Sequence, residues 1–216
     1  MGRVKDPRLG RPPASSASET RQRIIKVAAE LFSDQGYGVT TNKDVAVGAG
    51  ISTGALYYYF ESKLDMYVAV FRELQARIDE RMHAVMETET TFDGRFRGIM
   101  EAAYALNVED PYISRFQGTA RVDRVRHPEL REAIKNPPGE GAGLMGRLLS
   151  EGVASGEIPP ERLEQVEAVV RVIFVGLVDS VSVNPAVQRI AIDGLNALFD
   201  GRLLSRPAAA PAGSPS

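Results

Sequence analysis

Residues 40–63 read TTNKDVAVGAGISTGALYYYFESK. This stretch predicts two short helices joined by a glycine-bearing turn, with a third helix starting directly after them. Thr41 is placed to cap the first helix, and Asp44, three residues on, is a shorter version of the usual capping-box Glu or Gln. Val45 and Ala46 give that helix a small apolar face. Gly48 and Gly50 allow sharp turning where a Cβ would clash, and Ile51 closes against the core. Ser52 caps the second helix, which carries Thr53 to Tyr59. Leu56 and Phe60 lie four apart and share an inward face. Ser62 with Asp65 then repeats the capping pattern at the start of the third helix.

Two short helices crossed in this way suit a DNA duplex, one lying across the backbone and the other entering the major groove. The second helix opens with the small residues Ser52, Thr53, Gly54 and Ala55, which allow close approach to phosphates and base edges. Tyr57 and Tyr59 can offer hydroxyls to phosphates. Lys63 can reach the DNA backbone as a mobile positive charge. The competing reading is plain helical packing, because a turn between short helices occurs in many all-helical proteins.

With the helix before it, the segment resembles the DNA-binding domain of the TetR family of transcriptional regulators. The resemblance rests on Phe32 to Gly36, on Thr40-Thr41, on Gly54 to Phe60 with Tyr57 between them, and on Lys63. It covers roughly residues 20–70. A histidine is common in the family just before the position of Phe60. Here Tyr59 stands there and can donate to a phosphate without carrying charge.

Composition adds limits. The 216 residues are 44% hydrophobic and 25% charged, an ordinary globular balance. The absence of cysteine removes disulfides, thiolate chemistry and cysteine-based zinc fingers. The start is basic and polar rather than apolar, and no run suits a membrane span, so a cytoplasmic protein is expected. The formal net charge of −2 hides an asymmetry: residues 1–70 carry a net +2 and the remainder −4.

The expected organisation is all-α: a three-helix helix-turn-helix DNA-binding domain followed by a helical ligand-binding and dimerisation domain. Residues 1–18 read as a disordered basic arm, 19–66 as the DNA-binding domain, 67–204 as the body and 205–216 as a disordered tail. Arg8 and Arg11 of the arm either solubilise the chain or touch the minor groove and nearby phosphates. Helix 1 is expected over about Glu19 to Asp34, with Ile24, Ala28, Leu31 and Phe32 inward. A long helix follows from Leu64 to about Glu87, its stripe formed by Leu64, Val68, Phe71, Leu74, Ile78, Met82 and Val85. Asp93, Asp110-Pro111, His127-Pro128, Pro159-Pro160 and Asn184-Pro185 each mark a further helix start.

The run Val169 to Val183 is more apolar than one face requires. It fits either a core helix or an interface with a symmetry mate. The resemblance implies the second, with two reading heads set over successive major grooves of a near-palindromic operator. It also implies a small-molecule pocket in the body. Met100, Tyr104, Phe116, Phe174 and Asp179 are the candidate lining residues, with ordinary core packing as the alternative for the apolar ones. Asp179 can instead pair with Arg121 or Arg171, or reach solvent. An apolar or amphipathic effector is expected. No cofactor, metal site or catalytic constellation is called for: His83 and His127 are far apart, His127 has a capping role, and the glycines from 139 to 146 lack a phosphate-loop setting.

The chain is therefore expected to be a homodimeric regulator that binds double-stranded DNA, a repressor released by its effector. The alternatives are an activator, or a ligand-binding helical dimer acting through protein contacts. Thr41, Tyr57 and Lys63 are expected mainly to position phosphates, and Thr53 and Tyr58 to meet base edges, with Lys43 beside them.

Overall fold

Capped starts and glycine stops divide the chain as their chemistry dictates. The computed structural model describes residues 14–134, 143–181 and 184–204. Ten α-helices and one short 3-10 turn occur among the described residues, and no strand. They form two compact units. One is drawn from Met1–Arg77 and Arg115–Glu140, the other from Ile78–Ser114 and Gly141–Ser216.

In the first unit, α1 (Ala14–Val39) starts before the expected Glu19 and runs beyond the expected Asp34, but its regularity breaks at Gly36, at φ 78° and ψ 171°. A side chain there would be strained, and its Cβ would also stand 3.2 Å from Asp123 Oδ1. Ile24, Ala28 and Phe32 are fully buried as the stripe predicts, whereas Leu31, beside Phe32 on the helix, is only half-buried. The helices α2 (Asn42–Gly48) and α3 (Thr53–Tyr59) follow. The turn between them uses its glycines differently. Gly50 takes a positive φ of 66°, whereas Gly48 is needed for close approach, since a Cβ there would lie 2.6 Å from Val27 Cγ1.

Helix α4 (Lys63–Thr88) starts where Ser62 accepts from the Asp65 backbone N–H at 3.0 Å. Its first half buries Met66, Tyr67, Val70, Phe71 and Leu74. The expected row beginning at Leu64 and Val68 is thus displaced, and those two are only half-buried. An aromatic cluster fixes the actual face: Tyr67 packs edge-on to Phe32 at 4.8 Å and to Tyr37 at 5.3 Å, and also meets Phe116 at 5.2 Å.

The later part of α6 (Pro111–Arg126) and α7 (Pro128–Ala133) belong to this unit too. Arg115, Thr119, Asp123 and His127 recur every four residues and meet the end of α1. Arg115 pairs with Asp34 at 3.0 Å, and the Thr119 hydroxyl donates to Ser33 O at 3.1 Å. Asp123 Oδ2 accepts from the Tyr37 backbone N–H at 2.9 Å, and the His127 ring stands edge-on to Tyr37 at 5.1 Å. His127 occupies the N-cap of α7 but makes no side-chain cap bond, contrary to its expected capping role; its ring is spent on Tyr37 instead.

In the second unit, α5 (Phe92–Glu109) packs on α8 (Leu144–Ala154) and on α10 (Pro185–Phe199), and α10 packs on α9 (Leu163–Val181). Thr91, not Asp93, caps α5; Asp93 lies inside the first turn and binds Arg97. The turn Pro160–Arg162 precedes α9, and Asn184 caps α10 as expected. Phe96 gathers Phe174 at 5.6 Å and Phe199 at 5.4 Å. Arg189 makes a two-pronged ion pair with Glu101 at 2.7 and 2.8 Å while lying over the Tyr104 ring. No helix among the described residues is long and apolar enough to cross a membrane.

Candidate nucleic-acid interface and body cleft

The head is built by caps. The Thr41 hydroxyl accepts from the Asp44 backbone N–H at 3.2 Å, and the Asp44 carboxylate accepts from the Thr41 backbone N–H at 3.1 Å, completing a capping box. The Thr41 hydroxyl, which also donates to the Asp44 carboxylate at 2.6 Å, and after it the Thr41 backbone N–H hold the Asp44 carboxyl below its ordinary range. Ser52 caps α3 by accepting from the Ala55 N–H at 3.1 Å. Leu56 and Phe60 are buried at 1% and 4%, so the inward face forms as its spacing requires. Arg23 of α1 donates to Ala49 O at 2.9 Å and ties down the carbonyl end of α2.

The opposite face of α3 is left open. Tyr57 and Tyr58 are 53% and 67% exposed, and Tyr59 is half-buried with its ring edge-on to Tyr58 at 5.2 Å. Thr41, Lys43, Ser52 and Gly54 are exposed, and Thr53 and Ala55 are half-buried. Lys63 differs from its expected mobile state. Its ammonium donates to Tyr37 O at 2.6 Å and Thr40 O at 3.0 Å and lies 4.3 Å from the centre of the Tyr37 ring. It is a held charge that satisfies carbonyls at the C-terminal end of α1. Arg8 and Arg11 lie outside the described residues.

Sequence reasoning passed over Asn42, whose amide donates to the Tyr57 hydroxyl at 3.2 Å. It also passed over Asp123, which accepts from the Tyr67 hydroxyl at 3.2 Å as well as from Tyr37. Only Asn42 carried a local signal, standing at the first position of a helix whose neighbour presents tyrosines.

Of the expected effector residues, Met100, Tyr104 and Phe174 are not among those lining the cleft of the second unit. Phe116 is fully buried among the aromatics of the unit that holds the head, and Met100 is fully buried in α5. Tyr104 sits under Arg189, and Phe174 packs on Phe96. Asp179 lies on α9, with its side chain outside the described set. That cleft measures about 290 Å³, with Phe92, Phe96, Ile173, Phe199, Arg162 and Gln165 among its lining. No group of His, Cys, Asp and Glu suited to a metal occurs among the described residues.

The head matches the model for "Bacterial regulatory proteins, tetR family" over residues 24–70. The chain is also 33% identical over 153 residues to the transcriptional activator FasR of Mycolicibacterium smegmatis, spanning 63% of this chain and 68% of that protein. The chain belongs to the TetR family. A second relative, the HTH-type transcriptional repressor KstR2 of the same species, is 28% identical over 150 residues, covering 69% of this chain and 72% of the relative. Two solved structures share the fold. KstR2 of Mycobacterium tuberculosis, a ketosteroid regulator, aligns with TM-score 0.65 and 21% identity over 84% of this chain and 93% of its own. FadR of Bacillus subtilis, solved with stearoyl-CoA, aligns with TM-score 0.64 and 21% identity over 81% of this chain and 96% of its own. The TetR assignment makes this protein a DNA-binding transcriptional regulator and not an enzyme.

Proposed function

We propose that this protein is a homodimeric repressor that binds a near-palindromic operator through residues 19–66 and leaves it when a small apolar or amphipathic molecule enters the body, residues 67–204. The observation that carries the reading is the open face of α3, where Tyr57 and Tyr58 stand exposed beside a turn held by caps. Large aromatic side chains left to solvent on a rigid short helix suit contact with a partner surface. Thr41, Ser52, Tyr57, Tyr59 and Lys63 position phosphates, Lys43 adds charge, and Thr53 and Tyr58, with room made by Gly54 and Ala55, meet base edges.

Pairing is supported by an apolar stripe in the second unit. Val169, Val172 and Val175 of α9 and Val187, Ile190 and Leu198 of α10 are all exposed. Apolar surface of this extent on two neighbouring helices is what a four-helix interface between copies covers. An effector is supported by the cleft, whose aromatic wall and Arg162 suit an amphipathic molecule with an anionic group. The stearoyl-CoA bound by FadR is of that kind. Release follows if the effector binds one spacing of the two heads better than the other.

Activation is the second reading, favoured by the relative FasR, which is an activator. Selection from a random double-stranded DNA library, rechecked by titration at two salt concentrations, tests the proposal. A near-palindrome is the expected product. Failure to enrich any sequence, with folded dimeric protein refolded free of ligand, would move the weight to a dimer acting through protein contacts. The position of the recovered site relative to promoters then separates repression from activation.

A further inference from the structure

Asn42 and Tyr57 are fifteen residues apart in sequence and meet across the helix-turn-helix, Nδ2 to Oη at 3.2 Å. A phenol has one proton to give and lone pairs to receive. An amide N–H that donates into the oxygen leaves that single proton uncommitted. Tyr57 is 53% exposed, which leaves that proton room to meet an outside acceptor.

The other end of the amide shows what this orientation costs. Asn42 Oδ1 is buried and has no hydrogen-bond partner among the described residues. The reverse orientation would bury the amide NH2 in its place and draw the phenol proton inward, leaving Tyr57 with nothing to offer a phosphate. The amide therefore serves the tyrosine rather than its own hydrogen bonding. A hydroxyl that accepts one hydrogen bond is also polarised to donate a stronger one.

We propose that Asn42 is a positioning residue of the DNA interface, holding the Tyr57 hydroxyl as an outward donor to a backbone phosphate. The inference rests on the reading of Tyr57 as a phosphate contact. Asn42 acts through Tyr57 and touches no base, so its effect is the same on every sequence.

The test uses the full chain and two probes, a duplex recovered by selection from a random library and a mixed-sequence duplex. Asn42→Ala and Tyr57→Phe are each expected to weaken binding to both duplexes by about threefold to tenfold, the size of one hydrogen bond. The double variant is expected to bind no worse than Tyr57→Phe alone. The unfolding midpoint of Asn42→Ala should stay level or rise, since its buried unpaired carbonyl is gone; a purely structural residue would lower it. If the alanine variant fails to fold at all, Asn42→Ser, which suits a first helical turn, takes its place in the same measurements. Losses that multiply in the double variant, or a loss confined to the selected duplex, would show Asn42 meeting DNA directly and overturn the inference. If Tyr57→Phe binds as the parent does, the phosphate reading of Tyr57 falls and the inference with it, although family-level DNA binding stands. No binding of either duplex by the parent protein would reject both readings together.

Discussion

Asp123 receives the backbone N–H of Tyr37, 86 residues away in sequence, at 2.9 Å, and the same carboxylate oxygen accepts the Tyr67 hydroxyl at 3.2 Å. Asp123 is 4% exposed, so both donors depend on it in a place water scarcely reaches. Asp123→Ala should destabilise the unit by about 2–4 kcal/mol, because two buried donors lose their acceptor. Asp123→Asn retains one carbonyl oxygen and should cost less than half as much. Denaturant unfolding of the two variants beside the parent measures both; equal losses would mean that the charge, not the acceptor, matters.

Tyr67 gives that node a pH signature. Burial, then the nearby Asp123 charge, push its phenol above the ordinary tyrosine value. The folded state therefore keeps the proton that the unfolded chain releases near pH 10. Stability from this group is intact below about pH 10 and is lost as pH climbs from there toward the raised folded value. Tyr67→Phe, less stable near neutrality by one hydrogen bond, should show a shallower alkaline decline. Unfolding midpoints followed from about pH 8 to about pH 11 should bring the two proteins closer together.

Lys63→Ala should do two things at once. It removes a charged donor from Tyr37 O and Thr40 O, lowering stability by about 1–3 kcal/mol. It should also weaken binding to every duplex and lower the slope of log affinity against log salt by about one unit. A stability loss with an unchanged slope would make Lys63 a cap alone.

Gly48→Ala should destabilise the head by about 1–3 kcal/mol, because the new Cβ would lie 2.6 Å from Val27 Cγ1. Val27→Ala in the same chain should recover part of that loss. Thermal unfolding of the single and double variants decides; no recovery would place the strain in the backbone rather than at Val27.

Val172 and Ile190 are 71% and 70% exposed. Val172→Glu with Ile190→Glu should leave each chain folded, since neither side chain is in its core, yet yield monomers in light scattering and weaken binding to the selected duplex. A dimer that survives both charges would put the interface elsewhere.

Local chemistry made the helix starts readable. Thr41, Ser52, Ser62 and Asn184 act on donors within three residues, so spacing alone identifies them. The face of α4 was not readable in the same way. A polar-tipped Tyr67 can be fully buried only because Asp123 arrives from a distant segment, and nothing near Tyr67 announces that partner. The same distance hides the anchoring of Lys63, whose acceptors lie 26 and 23 residues upstream. Residue type alone does not distinguish Phe116, buried among aromatics, from Phe96 beside a cleft.

The break at Gly36 has a spectroscopic consequence. It turns the Tyr37 amide out of the helical ladder and onto a carboxylate. An amide bonded to a carboxylate rather than to a helix carbonyl has its own chemical shift and its own rate of exchange with solvent. One backbone resonance, that of Tyr37, thus reports whether the last turns of α6 still grip the end of α1. It can be followed through titration with DNA or effector without altering a residue.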